Sequence, residues 1–185
     1  MLENYKKHVA ERAEQNIPPL PLDADQTSEL IELLKKDHQE SDFLLNLLKE
    51  RVPAGVDQAA YVKAAFLADI TTGKASSPYI TKIDAVKILG TMLGGYNIQP
   101  LIECLKDNEL AETAAHVLSR TLLIFDAFNE IFELSKTNEH AKKVVEEWAN
   151  ATWFTEKTDI EEQIKLTVYK VTGEINTDDL SPAPD

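Results

Sequence analysis

The sequence predicts an all-α fold of short helices arranged in antiparallel pairs. Apolar residues recur at helical spacing almost from end to end of the 185 residues. Proline and glycine interrupt these stripes often, so each helix is short. Near residue 164 the spacing changes to alternation with frequent β-branched residues, which predicts one β-strand at the C-terminal end.

Three helices are predicted in the first 55 residues. The first has an apolar stripe that begins at Leu2, and it ends near Asn16 because two prolines follow. The second carries the apolar residues of the segment 30–34, and the third those of the segment 43–48. The third ends at the sequence Val-Pro-Ala-Gly of residues 52–55.

Capping signals predict where the next helices begin. Asp57 is a good N-cap, and this helix is expected to end before Gly73. Residues 81–84 resemble a capping box, and the helix that they open has a stripe that continues to Leu93. Asn97 is predicted to cap the following helix.

The stretch from residue 122 to residue 134 is predicted to be the most buried part of the chain. Its large apolar residues are Ile124, Phe125, Phe128, Ile131 and Phe132. A helix that begins at Asn108 precedes it, and Asn138 opens a final, strongly amphipathic helix. A strand is predicted over residues 164–172.

These elements predict two domains. Helix pairs of varying length suit a HEAT-like α-solenoid or an irregular bundle over residues 1–157. Residues 158–185 are predicted to be a linker and the first strand of a further domain. Because a lone strand leaves its backbone hydrogen-bonding groups unpaired, we expect the chain to be part of a longer protein.

The charge balance excludes several classes of function. The chain has 32 acidic residues against 19 basic ones and a net charge of -13. Its general field therefore repels nucleic acid and anionic membrane surfaces. No apolar run approaches the roughly 18 residues that a membrane span requires. The N-terminus is polar and has no signal-peptide pattern, so we expect a cytoplasmic protein.

The residue types that usually perform chemistry give little support for a catalytic or metal site. The single cysteine, Cys104, is favoured as a small buried side chain rather than a nucleophile. One thiolate cannot hold an iron–sulfur cluster, so no metal ligand is predicted in this chain. The histidines have no metal-binding spacing; they are His8, His38, His116 and His140.

Two segments leave a structural and a functional interpretation open. The glycine-rich segment 90–95 follows a helix rather than a strand, which favours close backbone packing over phosphate binding. A tight connection that shapes an interface is its functional alternative. The polar segment 176–182 follows the predicted strand and is either a linker or a functional loop.

Long stretches of the chain closely resemble the N-terminal part of the aconitase B family. They are MLENYKKHVAERAEQNIPPLPLD at 1–23, ILGTMLGGYNIQPLIECL at 88–105, HVLSRTLLIFDAF at 116–128 and VYKVTGEINTDDLSPAPD at 168–185. The resemblance covers essentially all of the chain. It implies a HEAT-like helical domain, then a truncated swivel domain, with catalytic domains and a [4Fe-4S] cluster later in the full protein.

The resemblance also implies an activity and partners. The full-length enzymes are lyases of the tricarboxylic acid and methylcitrate cycles, which interconvert citrate and isocitrate through cis-aconitate and hydrate 2-methyl-cis-aconitate. Their cluster cysteines lie beyond Asp185, so this part alone is expected to be inactive and to serve in protein–protein interaction. The implied partners are a second copy of the protein, other metabolic enzymes, and messenger RNA when the cluster is lost.

One residue of this chain is implied to lie near the active site. The segment 177–181 resembles the T-D-x-[IL]-S segment that opens the swivel domain of aconitases. Asp178 matches the aspartate of the active-site shell, which implies a substrate-binding role. Asp179 stands where other aconitases often have histidine, so no proton-transfer role is assigned to it.

Two other classes of function remain open from the sequence. One is a free-standing helical scaffold or adaptor, which a reading frame that ends after Asp185 would support. The other is an RNA-binding regulatory module. It would need a local basic face, for which Lys6, Lys7 and Arg12 are the candidates.

Overall fold

The structure, a computed structural model, describes residues 1–121, 124, 127–156, 162–168 and 173. These residues are mainly helical, so the predicted all-α class is confirmed. The HEAT-like solenoid and the domain boundary at residue 157 stay predictions. None of the helices within the described ranges is both long and apolar enough to cross a membrane.

Ten α-helices lie in the described residues, together with one short π-helix, Leu47–Arg51. The α-helices are α1 (Leu2–Glu14), α2 (Ala24–Leu34), α3 (Ser41–Asn46), α4 (Gln58–Thr72), α5 (Lys82–Leu89), α6 (Ile98–Cys104), α7 (Ala111–Leu118), α8 (Ala127–Ser135), α9 (Glu139–Ala149) and α10 (Thr152–Thr155). The chain divides into two compact units, Met1–Leu20 with Ile160–Asp185, and Pro21–Asp159.

In the first unit, α1 holds the proline-containing segment that follows it. The Tyr5 hydroxyl donates to the Leu20 carbonyl at 2.9 Å, and the Leu20 N–H donates to His8 Nε2 at 3.0 Å. Arg12 Nε donates to the Pro18 carbonyl at 2.7 Å. The helix therefore ends where the sequence predicts, and the stiff segment folds back along it.

In the second unit, helices begin at the predicted caps. The Asp57 carboxylate accepts from the Ala59 N–H at 2.7 Å at the start of α4. Thr81 and Asp84 form the reciprocal capping box of α5. Asn138 Oδ1 accepts from the backbone of α9 at 2.9 Å. At the other end of α4, Gly73 adopts a φ of 76°, the left-handed conformation that favours glycine.

The apolar core of the second unit lies between successive helices. Helix α2 packs on α4, α4 on α5, α5 on α7, and α7 on α9, which also packs on α8. Fully buried leucines line these contacts, among them Leu30, Leu67, Leu89, Leu101 and Leu118. The helices therefore owe their stability to burial against their neighbours, since helices this short are marginal alone.

Lys63 is an exception within this core. It lies in α4 with only 1% of its surface exposed. Burial lowers the pKa of Lys63 to about 8, and the negative charge of Glu50 offsets only part of this effect. The charged form of this lysine is therefore disfavoured in the folded protein.

Several predicted boundaries differ from the structure. Helix α5 ends at Leu89 instead of continuing to Leu93, because the glycine-rich segment turns the chain there. Asn97 makes no capping hydrogen bond; its Nδ2 instead donates to the carbonyls of Leu89 and Met92. Helix α7 begins at Ala111, three residues after the predicted start.

The stretch 122–134 was predicted to be the most buried, but its described residues, 124 and 127–134, are not the most buried part of the described chain. Ile131 is fully buried, but Phe128 and Phe132 are exposed. The three residues lie within a stripe about 100° wide on α8, and neighbouring helices cover only the part of it at Ile131. Phe125 lies outside the described residues.

The strand predicted over residues 164–172 is also absent from its described part, residues 164–168. Residues 163–168 form no strand, and Val168 is 85% exposed. No neighbouring strand lies in the described residues to pair with this segment, and an unpaired strand is not stable. The rest of the predicted strand, residues 169–172, lies outside the described residues.

Candidate interaction surfaces

The residues predicted to carry chemistry do not form a catalytic site in the described chain. Asp178 lies outside the described residues. Cys104 is buried in α6, and burial raises the pKa of its thiol, so the reactive thiolate is disfavoured. The favoured interpretation of Cys104 as a buried side chain is confirmed.

The histidines do not form a metal site in the described residues, although His116 and His140 both lie near Glu112. His38 Nδ1 accepts a hydrogen bond from the Glu40 N–H at 3.1 Å, and His140 Nδ1 lies 3.5 Å from the Glu112 carboxylate. Among the described residues, no group of three His, Cys, Asp or Glu side chains could hold a metal ion. The chain also does not fit a [4Fe-4S] cluster, because its single thiol, Cys104, is buried.

The basic residues near the N-terminus are engaged locally. Lys6 Nζ lies 3.2 Å from the Glu3 carboxylate, and Lys7 Nζ lies 3.6 Å from that of Glu11. These contacts reduce the positive field that an RNA-binding face would need. RNA binding by this region stays a prediction.

One exposed apolar surface of the second unit lies where two loops meet beside the start of α4. We call it the tyrosine cluster, and it consists of Val56, Tyr61, Leu93 and Tyr96. The two tyrosine rings meet edge to face with their centroids 5.4 Å apart, and the Tyr96 hydroxyl donates to the Val56 carbonyl at 3.1 Å. Leu93 is 78% exposed at the tip of its loop. No member of the cluster is charged.

Close backbone packing holds the tyrosine cluster in shape. The N–H groups of Leu93 and Gly94 both donate to the Ala54 carbonyl, at 2.7 and 3.2 Å. A Cβ added at Gly94 would lie 2.0 Å from the Gly55 carbonyl oxygen, so only glycine fits there. This geometry agrees with the predicted tight packing of the glycine-rich segment.

A second exposed surface joins α8, α9 and α10. We call it the aromatic cluster, and it consists of Phe128, Phe132, Trp148, Trp153 and Phe154. The Phe128 ring stacks on Trp148 and on Phe132, with centroid separations of 6.0 and 6.1 Å. The Trp148 indole N–H donates to the backbone of α7 at 3.2 Å. This bond anchors the cluster while most of its rings remain accessible.

Arg120 links the elements beside the aromatic cluster. Its guanidinium lies 3.4 Å from the Glu147 carboxylate and also contacts that of Glu156. One cation therefore faces two anions. This leaves the neighbourhood with a net negative charge.

The sequence analysis did not predict either cluster. The sequence does contain a signal that Leu93 is exposed. Leu93 lies between Gly90 and Gly94, which makes a continuing helix unfavourable and leaves its side chain in a loop. Phe128, Ile131 and Phe132 have i, i+3, i+4 spacing, which places them on one helix face. The sequence does not show that this face is only partly covered by other helices.

Comparisons with known proteins agree with this architecture. The family model described as the Aconitate B N-terminal domain matches residues 4–154. The protein named aconitate hydratase B of Escherichia coli (strain K12) is 57% identical over 100% of this chain. Those of Synechocystis and Helicobacter pylori are 55% and 49% identical over the same extent. The chain spans only 22% of the length of each of these relatives.

Proposed function

Because this chain belongs to the family of aconitate B N-terminal domains, we propose that it is the interaction domain of a longer, cytoplasmic aconitate hydratase. In this role the domain brings two copies of the enzyme together. The exposed, uncharged tyrosine cluster is the observation on which the proposal rests.

The names of the relatives support the activity proposed for the whole protein. That protein would interconvert citrate and isocitrate through cis-aconitate and hydrate 2-methyl-cis-aconitate. The [4Fe-4S] cluster supplies Lewis-acid chemistry when it is bound elsewhere in the parent. This chain has one buried thiol, Cys104, so we expect no cis-aconitate formation from it after reconstitution with iron and sulfide. Turnover by this chain alone would contradict the assignment.

The tyrosine cluster suits self-association because it is both apolar and fixed in shape. Two copies that each carry a charge of -13 repel one another wherever charged surfaces meet. An uncharged patch avoids this cost, and the tight contact at Gly94 means that little ordering is needed on binding. Exposed aromatic residues such as Tyr61 are typical interface anchors.

The effect of salt concentration on affinity distinguishes self-association through apolar contacts from binding through opposite charges. The Debye length falls from about 30 Å at 0.01 M to about 8 Å at 0.15 M salt, so repulsion between copies fades. Added salt does not weaken the apolar contacts between the two copies. We therefore expect self-association to strengthen as salt is added, which is the reverse of phosphate binding.

Sedimentation velocity across protein concentration, salt and ferrous iron tests the proposal in this chain and in the full-length protein. Leu93→Asp should weaken self-association about tenfold or more, because it places a charge in the contact. The matched control is Leu166→Asp, since Leu166 is 76% exposed but lies in the other unit. Strictly monomeric behaviour of both proteins in every condition would contradict the proposal.

We also propose that Asp178 contributes to substrate binding in the full-length enzyme. The proposal rests on the T-D-x-[IL]-S resemblance alone. Asp178→Asn in that enzyme should lower kcat/KM by about tenfold or more. Asp179→Asn is the matched control and should leave kcat/KM nearly unchanged, and equal effects of the two substitutions would overturn the assignment.

A further inference from the structure

Two adjoining cavities form a groove beside the aromatic cluster. One, of about 310 Å³, is lined by Leu93, Ile98 and Arg120 among others, and the second, of about 240 Å³, by Phe128, Trp148 and Trp153. Thr121 lines both, so the two cavities adjoin at this residue. Most of the lining is apolar and aromatic, which suits the side chains of a bound peptide.

A buried acceptor in this groove lacks a hydrogen-bond partner. Asn97 lines the first cavity, is fully buried, and donates from Nδ2 to the carbonyls of Leu89 and Met92. These two donor contacts identify the other amide atom as the oxygen. Asn97 Oδ1 has no partner in the structure, and a buried acceptor in this state is costly. A bound group that carries an N–H would satisfy it.

The charge around the groove favours a cationic occupant. The only charged residue among the described residues that line the groove is Arg120, and the carboxylates of Glu147 and Glu156 already contact it. An incoming carboxylate would have to displace these partners, whereas an incoming lysine or arginine would meet surplus negative charge.

We propose that the groove docks a segment of a partner protein that combines apolar side chains with lysine or arginine. The inference rests on the proposed role of the domain in protein interaction, but it concerns a partner other than a second copy and a surface that shares only Leu93 with the tyrosine cluster. Apolar side chains fill the aromatic cavity, and an N–H of the segment reaches Asn97. The basic residues of the segment lie beside the carboxylates of Glu147 and Glu156.

Three synthetic peptides test the chemistry of this occupant. The first is an amphipathic helix-forming peptide with Leu and Phe at i, i+3, i+4 and i+7 and with Lys and Arg elsewhere. The second replaces its basic residues by Glu, and the third keeps them but replaces Leu and Phe by Ser. Intrinsic fluorescence reports on the site, because Trp148 and Trp153 are the two tryptophans of the chain and both line the groove.

The first peptide should bind about tenfold or more tightly than either of the other two at 0.15 M salt, because it alone meets both requirements of the groove. The side-chain amide resonance of Asn97 should shift on binding of the first peptide. Equal binding of the peptide without apolar residues would show general attraction to an acidic protein and would overturn the inference. Equal binding of the acidic peptide would overturn it as well, as would failure of the first peptide to bind at about 1 mM.

Variants locate the binding in the groove. Phe128→Ala and Trp153→Ala should each weaken the first peptide about fivefold or more, because they remove walls of the aromatic cavity. Phe154→Ala is the matched control, since Phe154 is 72% exposed beside Trp153 but does not line either cavity. If Phe128→Ala and Trp153→Ala bind as the unmodified chain does, the groove is not the site.

Measurements of oligomeric state and of peptide binding on the same variants distinguish the docking site from the proposed self-association. A chain that stays monomeric yet binds the basic peptide in the groove retains the docking site and contradicts self-association. Because Leu93 lines the groove as well, peptide binding is measured below the protein concentration at which the chain dimerises. A chain whose dimer depends on Leu93 but whose monomer does not bind the first peptide supports self-association and overturns the docking site.

Discussion

The helices α6 and α7 and the segment 162–168 both carry leucine, isoleucine and valine, but they bury them differently. Leu101 and Leu118 are completely buried between neighbouring helices, whereas Ile164, Leu166 and Val168 are exposed. The residue types are the same, and only the surroundings differ. Apolar composition therefore predicts burial only where a complementary surface is present.

The largest expected effect tests this comparison directly. Leu101→Ala should lower the free energy of unfolding by about 3 kcal/mol, because it leaves a cavity in the core. Leu166→Ala should change it by less than about 0.5 kcal/mol, because the side chain is already in water. Urea denaturation measures both. A comparable loss in Leu166→Ala would show that this segment is packed against an apolar surface in solution.

The same contrast between a packed and an open position exists for two glycines, Gly94 and Gly55. Gly94→Ala should lower the free energy of unfolding by about 2–3 kcal/mol, because the new methyl group would overlap the Gly55 carbonyl. Gly55→Ala is the control in the same pair of loops, since a Cβ there meets nothing within 4 Å. Equal melting temperatures of the two variants in thermal unfolding would contradict the close approach of the loops.

Substitution of Lys63 is expected to stabilise the fold, whereas most substitutions in the core destabilise it. Lys63→Met should raise the free energy of unfolding by about 2 kcal/mol near pH 7, because it removes a buried charge and keeps the volume. The folded pKa of about 8 lies below the ordinary value of 10.5. The unfolded chain therefore binds more protons between these values, and the stability of the unmodified protein rises with pH across that window.

The advantage of Lys63→Met should accordingly shrink as the pH increases from 8 toward 10.5. Denaturation at several pH values measures this change. Lys74→Met serves as the control, since Lys74 is exposed in the loop after α4 and should show no such dependence. A constant advantage over the whole range would mean that Lys63 does not lose its proton near pH 8.

The smallest effect is expected at an exposed ion pair. Lys143 Nζ lies 2.6 Å from the Glu112 carboxylate, which raises the pKa of Lys143 and lowers that of Glu112. Lys143→Ala should nevertheless cost less than about 0.5 kcal/mol, because solvent screens this pair. Its small contribution should vanish as the pH falls through the lowered pKa of Glu112. A loss above 1 kcal/mol by urea denaturation would contradict this ranking.

Local signals in the sequence predicted much of the helical framework. The caps at Asp57, Thr81 and Asn138 and the proline break after α1 act within a few residues, so the sequence displays both partners. Predictions failed where a side chain bonds outside its own helix turn. Asn97 resembles a helix cap by position, yet its amide is used to join α5 to the following turn.

The sequence by itself determined the helical class, most helix starts, the acidic surface and the family. These depend on periodicity, nearest neighbours and composition, which require no three-dimensional information. Only the tertiary structure decided which apolar residues remain accessible. Leu93, Phe128 and Trp153 are residue types common in cores, and they lie at the surface because no described segment of the chain covers them. Burial depends on contacts between segments far apart in the chain, so no local pattern can specify it.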